Sequence, residues 1–495
     1  MPMSTTPLPP SASFVANAFL EPSSPREEVI VNPATEEVLG RVASAEERDV
    51  DAAIGAARRA ADTGAWSSST PRERSAALEA LVDVLASDTQ RILELVVAET
   101  GCPITAAAGH QVGLPLEHLR YWADVARSPD LLGHPPRVTV RPDGSGVLGG
   151  WTVRREPLGV VAAITPYNFP FLQTVMKIGP AIAAGNTVVL KPSPLTPYST
   201  LMVAEAAQKA GLPDGVINVV TGGAEVGEQL ITDPRVDLVS FTGSDQVGSL
   251  IAGAVSARLA RLVLELGGKS ALIVCEDADL EIASKAGAQS ITFHAGQGCA
   301  LTTRHLVHRG VLDRYLDMLV ARVRAIRVGD PTDPATGMGP LIRESAVIRT
   351  ERYVHDAVQQ GARVATGGTR GGHDRGFYYE PTVLTDVSNA WPIAREEIFG
   401  PVAVVIPFTD EDEAIELAND SSYGLAGHVV SKDPARAFAL ACRLRTGSVD
   451  INGGPGYTSP EVPFGGYKRS GVGRENGPQG LDEYTQFKTI KYHAG

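Results

Sequence analysis

Between Phe293 and Arg304 the chain reads Phe-His-Ala-Gly-Gln-Gly-Cys-Ala-Leu-Thr-Thr-Arg, which sets one thiol, Cys299, behind a glycine-rich bend. A deprotonated thiol is a strong nucleophile, and glycines let a substrate or a neighbouring backbone come close, so the stretch suits covalent catalysis. Taken alone, Cys299 reads as readily as a small buried residue beside a turn. His294 stands five residues earlier, and positions i and i+5 do not share a helix face, so a structural or solvent role suits it better than a cysteine hydrolase pair. A second chemical signal is Thr242-Gly243-Ser244, at the end of the apolar run Val236 to Phe241 and ahead of Val247, Leu250, Ile251 and Ala254 at helical spacing. A strand that passes through glycine and serine into a helix offers unpaired N–H groups and the positive end of a helix dipole to an anion such as phosphate. No G-x-G-x-x-G fingerprint follows any predicted strand, although Gly243 and Gly248 frame a variant of one.

The elements around these signals alternate between strand and helix. Ser44-Ala45-Glu46-Glu47 has the form of a capping box ahead of Val50, Ile54, Ala57 and Ala61, and Thr70-Pro71-Arg72-Glu73 forms another ahead of Leu78, Leu81, Val82 and Leu85. Both helices are expected to cover one face of a sheet. Gly159 to Ile164, Thr187 to Leu190, Val216 to Val220 and Val236 to Phe241 are apolar enough for buried parallel strands, with a helix over Ser199 to Ala210. A second α/β segment begins at Ala271 to Val274 and Leu280 to Phe293. Pro135 to Glu156 reads as a projecting hairpin around Asp143-Gly144, and Tyr484 to His493 alternates as an edge strand does.

With 495 residues the chain exceeds a single ordinary core. Its net charge of -13 argues against broad binding to nucleic acid or an anionic membrane, both of which need a basic face. Four scattered cysteines, Cys102, Cys275, Cys299 and Cys442, show neither C-x-x-C nor metal-ligand spacing, which fits a reducing cytoplasm and no metal site; apart from Cys299 they read as small buried residues. Residues 1–28, rich in proline and serine, read as a loose tail, and no apolar run reaches bilayer length.

Several separate stretches together resemble the NAD(P)-dependent aldehyde dehydrogenase superfamily, non-acylating type, from Asn32-Pro33-Ala34-Thr35 to Arg474-Glu475. Glu265-Leu-Gly-Gly-Lys269 matches its glutamate signature and Phe293 to Cys299 its cysteine signature, 34 positions apart as is usual there. Thr165-Pro-Tyr-Asn-Phe-Pro170, Lys177, Lys191-Pro192-Ser193, Phe241-Thr-Gly-Ser244, Glu396-Glu-Ile-Phe-Gly-Pro401, Asn452 and Pro463-Phe-Gly-Gly466 match further motifs. The resemblance implies an α/β fold with a Rossmann-like cofactor domain (29–134 and 157–264), an α/β catalytic domain (265–476) and a small β oligomerisation arm (135–156 and 477–495). It implies Cys299 as nucleophile, Asn168 with the Cys299 N–H as oxyanion donors, Glu265 as the base that activates water, and Lys177 with Glu475 as an outer proton relay. For NAD or NADP it implies Lys191 at the adenosine ribose and Ser244 at the pyrophosphate on its helix N-terminus, with Ser193 and Gly243 also in the cofactor site. Glu397 falls at the nicotinamide ribose and Phe399 near the nicotinamide, with Thr165, Pro166, Phe241, Leu266 and the Gly223 to Gly227 turn lining the rest. A small-molecule aldehyde and a homodimer or homotetramer complete the expectation.

Three positions depart from the family pattern. Pro194 stands where many members carry a glutamate that excludes a 2′-phosphate, which opens the site to NADP as well as NAD. Tyr167 replaces a frequent tryptophan, and Gly298 before the nucleophile suggests room for a bulkier aldehyde, aromatic or branched. The competing readings are a CoA-acylating semialdehyde dehydrogenase, against which Glu265 speaks, a cysteine hydrolase, and a non-catalytic relative, against which Cys299, Glu265 and Asn168 speak together.

Overall fold

The computed structural model describes residues 6–22, 24–454 and 459–493. Two parallel-rich sheets dominate it. The first has eight strands in the spatial order Ala18–Phe19, Phe14–Val15, Ile217–Val219, Thr187–Lys191, Val160–Ile164, Leu238–Thr242, Arg261–Glu265 and Gly471–Val472. The five central strands are parallel, and antiparallel strands close both ends. Numbered along the chain, the central five run 3-2-1-4-5, so the winding reverses between Val160–Ile164 and Leu238–Thr242. Sheets of this kind bind ligands beyond the carboxyl ends of the strands at that reversal.

The apolar strands are covered on both faces, as continuous hydrophobic runs require. Val161, Ala163, Val188 and Leu190 share a core with helices Pro71–Ser87 and Pro170–Ala184, whereas Val160, Ala162 and Val189 pack with helix Glu47–Asp62. The two helices expected on one face therefore lie on opposite faces, because successive strand residues point to opposite sides. Helix Pro71–Ser87 has its expected box, with Glu73 N donating to Thr70 Oγ1 at 3.3 Å and Thr70 N donating to Glu73 Oε2 at 2.7 Å. The other box closes on Glu46 and Asp49 rather than at Ser44, which is buried and whose N–H is spent on Arg26 O.

The presumed loose tail is a further correction. Phe14 is 1% exposed, and Phe14–Val15 pairs with Ile217–Val219, so apolar burial holds this segment on the sheet edge. Residues 1–5 and 23 of that stretch lie outside the described residues.

The second sheet has seven strands in the order Arg363–Thr366, Thr382–Thr385, Val402–Phe408, Arg304–His308, Ala271–Val274, Ala426–Val430 and Ser448–Ile451. All its pairings are parallel except the first. A separate antiparallel sheet joins Leu131–Gly133 and Arg137–Val140 to the long strand Gly146–Pro157, whose other edge pairs with Thr485–His493. The expected hairpin and edge strand thus lie in one arm; its residues 494–495 are outside the described ones. Among the described residues no helix is long and apolar enough to cross a membrane.

Candidate active site

A cleft of about 680 Å³ opens at the reversal point of the first sheet and reaches the second. Its walls include Thr165, Pro166 and Asn168 after strand Val160–Ile164, and Phe241, Gly243 and Ser244 after strand Leu238–Thr242. Glu265 and Leu266 follow the next strand, and Cys299 and Glu397 come from the far side. The switch point thus gathers residues scattered over more than two hundred positions of sequence.

Cys299 is brought there by an unusual turn. After helix Leu280–Thr292, His294, Ala295 and Gly296 take φ angles of 48°, 53° and 73°, a left-handed run that costs non-glycine residues on the order of 1 kcal/mol each. Gln297, fully buried, holds the turn: its Oε1 accepts from Ile342 N at 3.0 Å and its Nε2 donates to His294 O at 3.1 Å. Asn168 Nδ2 donates to Gln297 O at 2.8 Å, which ties the side-chain amide to the nucleophile's own loop and leaves its second N–H free for another acceptor. His294 is buried, and that burial, against an opposing hydrogen bond to the Asn168 main chain, pushes its pKa down to about 4, so it is neutral and a weak base.

The glycines of Glu265-Leu-Gly-Gly-Lys269 exist for close approach. A Cβ on Gly268 would lie 2.5 Å from Cys299 O, and one on Gly267 would strike the Glu397 carboxylate. Gly268 N donates to Glu397 Oε1 at 3.0 Å. Gly298 has a different cause: a Cβ there would meet Leu301 Cγ at 2.9 Å. Leu301 therefore fills the room that Gly298 was expected to leave for a bulky aldehyde.

Charge is unusually costly here. Burial, aided by the Glu397 and Glu265 carboxylates, pushes the half-buried Cys299 thiol up to about 12. Burial likewise raises Glu397 to about 7, against the opposing Gly268 N–H and Lys269. Glu265 is 2% exposed, neither of its oxygens has a hydrogen-bond partner, and burial with the nearby Glu475 carboxylate raises it well above the ordinary carboxylate range. A sealed carboxylate without donors is an incomplete site that a water or substrate atom completes.

Lys177 and Glu475 lie behind the cleft wall, both with fully buried side chains, paired at 2.8 Å. Lys177 Nζ also donates to Ser240 Oγ at 3.1 Å, and Tyr484 OH donates to the same oxygen at 3.0 Å.

Toward the other end the cleft suits a dinucleotide. Ser244 caps the twelve-residue helix Asp245–Ser256, whose N-terminus opens on the cleft, and the buried Thr165 Oγ1 and Thr242 Oγ1 have no partners. Lys191, Ser193 and Pro194 line the same end, with burial lowering Lys191 to about 8 against the pull of Glu28 and Glu225. Phe399, held at a φ of 56°, also faces the cleft. Gly227 packs beneath Lys191, 3.5 Å from its Cδ by a built Cβ, and Gly223 precedes the adjoining helix; neither lines the cleft itself.

Sequence reasoning passed over Gln111, Gln173, Ser240, Gln297 and Tyr484. Gln297 sits inside the cysteine motif, so that motif was the available signal; the others carry none that periodicity or spacing reveals. Cys442, expected to be buried, is exposed, whereas Cys102 and Cys275 are buried.

A thiol, a side-chain amide and an unpartnered carboxylate, opening on one cleft at the switch point of a parallel sheet, define an α/β enzyme with covalent chemistry. Residues 19–490 match the model described as the Aldehyde dehydrogenase family. The chain is 41% identical over 479 residues to geranial dehydrogenase of Castellaniella defragrans, covering 96% of this chain and 98% of that protein. It is 40% identical over 481 residues to betaine aldehyde dehydrogenase of Bacillus subtilis, covering 96% of each. Its fold overlays the betaine aldehyde dehydrogenase of Staphylococcus aureus in complex with NAD+ with a TM-score of 0.94 at 35% identity, covering 100% of this chain and 97% of that one. The chain belongs to the aldehyde dehydrogenase family, enzymes that oxidise aldehydes with NAD(P).

Proposed function

We propose that Cys299, reacting as its thiolate, attacks the aldehyde carbon, forming a thiohemiacetal whose oxyanion is met by the free N–H of Asn168 and the Cys299 main-chain N–H. Bound NAD(P)+ would supply the hydride acceptor. Loss of hydride leaves a thioester on Cys299; Glu265, once ionised, takes a proton from the attacking water, and the carboxylic acid departs as the thiolate is restored. Lys177 and Glu475 carry that proton onward, a role supported by the 2.8 Å pair and by the charge of Glu475 acting on Glu265. The observation that carries this reading is that Cys299, Asn168 and Glu265 open on a single cleft.

Lys191 and Ser193 hold the adenosine ribose, Gly243 and Ser244 the pyrophosphate, and Glu397 the nicotinamide ribose, with Thr165, Pro166, Phe241, Leu266 and Phe399 around them. Gly223 and Gly227 support this end from behind. This reading takes residues 29–134 and 157–264 as the cofactor domain and 265–476 as the catalytic domain, with strands Phe14–Val15, Ala18–Phe19 and Gly471–Val472 completing the edges of the first sheet. Pro194 offers no carboxylate against a 2′-phosphate, which leaves the site open to NADP+ as well as NAD+. The aldehyde's distal part is apolar: Gln173 of the cleft wall touches Met176 at 3.9 Å, and Met176 clusters with Leu114, Leu172, Phe169 and Phe464. The arm, 135–156 and 477–495, joins copies into a homodimer or homotetramer; its exposed Val138, Val140, Leu148 and Phe487 support this. Four unpaired cysteines support a cytoplasmic setting.

Aldehyde-dependent reduction of each dinucleotide, measured for the parent and Cys299→Ala with apolar and charged aldehydes, tests the reading. The parent is expected to favour hexanal and benzaldehyde over betaine aldehyde, and Cys299→Ala to lose turnover by about 10⁴-fold or more. Undiminished turnover in Cys299→Ala would overturn it.

A further inference from the structure

The segment Ala107–Gly113 is wound as a π-helix between Ile104–Ala106 and the helix Leu114–Ala126. Such turns hold an extra residue at the cost of regular hydrogen bonding and recur at functional positions. Here two neighbouring residues of the turn reach the two halves of the reacting centre. The His110 ring lies edge-on to Phe293, which opens the nucleophile's loop, at 4.7 Å between centroids. Gln111, with no exposure, donates from Nε2 to Asn168 O at 3.3 Å.

Asn168 is thereby gripped from both ends. Gln111 holds its main-chain carbonyl, and Gln297 O receives its side-chain amide, while Gln297 is anchored to Ile342 and His294. The chain of bonds runs from the π turn through the oxyanion donor to the loop of Cys299. An amide suits position 111: it donates to the buried Asn168 carbonyl, which an ionised carboxylate could not do.

We propose that Gln111 is a positioning residue for the oxyanion donor, and that the π turn serves to deliver it to Asn168. The inference rests on Asn168 being that donor.

The test is a double-mutant cycle of Gln111→Leu and Asn168→Ala, with kcat/KM expressed per active site titrated with a thiol reagent, and NAD+ affinity measured by calorimetry. Gln111→Leu is expected to lower kcat/KM about 10-fold in the parent and by less than about 2-fold in Asn168→Ala, with NAD+ affinity kept in both. A purely structural role would lower the number of titratable sites and leave the rate per site alone. Gln111→Glu gives a second reading in a side chain of the same size: protonated it donates to Asn168 O, ionised it cannot, so its rate relative to the parent should rise as pH falls. An equal fall from Gln111→Leu in both backgrounds, or a flat pH ratio for Gln111→Glu, would overturn the proposal. An unimpaired Asn168→Ala would instead remove the oxyanion reading beneath it.

Discussion

Arg304 and Glu265 are both 2% exposed, yet they are treated in opposite ways. Arg304 spends its guanidinium on Lys269 O, Asn389 Oδ1, Leu417 O and Ala418 O at 2.9 to 3.0 Å, and burial lowers its pKa only to about 10, so it stays charged. Glu265 has no donor at either oxygen, and burial favours its protonated form. A buried charge that serves the fold is fully satisfied; a buried carboxyl group that serves chemistry keeps its valences open for a passing atom.

That contrast can be broken at several points. Asn168→Ala should lower kcat by about 100- to 1,000-fold with little change in KM, since it removes one oxyanion donor, and the Gln297 carbonyl it strands should cost about 1 to 3 kcal/mol of stability. Steady-state kinetics beside thermal melts would check this, and a loss confined to KM would count against the role. Arg304→Met should do the reverse. It strands several buried carbonyls and should cost about 3 kcal/mol or more of stability in denaturant titration, with the rate per titrated site almost unchanged.

A smaller effect follows from the proton on Glu265. An unfolded glutamate ionises near pH 4.3, whereas the folded one holds its proton to higher pH. Above about pH 4.3 the unfolded chain binds fewer protons than the folded one, so this group's contribution to stability falls as pH rises until Glu265 itself ionises. Glutamine does not titrate. The stability of Glu265→Gln relative to the parent should therefore increase as pH rises above about 4.3, in melts at matched ionic strength. A difference independent of pH would mean that Glu265 is not held protonated.

Legibility from sequence followed the reach of each interaction. Cys299 and Ser244 announced themselves through local signatures, because glycines and caps around a reacting group are local requirements, whereas Glu265 was legible only through the family resemblance. The parallel strands were legible from their apolar runs. Which sheet face each early helix covers was not, since side-chain parity along Val160–Ile164 decides it. The segment around Phe14 looked loose because its proline and serine neighbours mask two residues whose burial holds it. Gly298 looked like vacant space, and only the path of Leu301 shows it filled. Gln111 was silent for a deeper reason: a π turn has no residue pattern of its own, and the bond to Asn168 spans 57 positions.

The central claim is that an open, buried carboxylate serves the release of product from a thiol. Rapid mixing of Glu265→Gln with saturating aldehyde and cofactor tests it most directly. The account predicts a burst of reduced cofactor of one equivalent per titrated Cys299, followed by a steady state slowed by about 100-fold or more. A steady state equal to the parent's, or the absence of any burst, would contradict it.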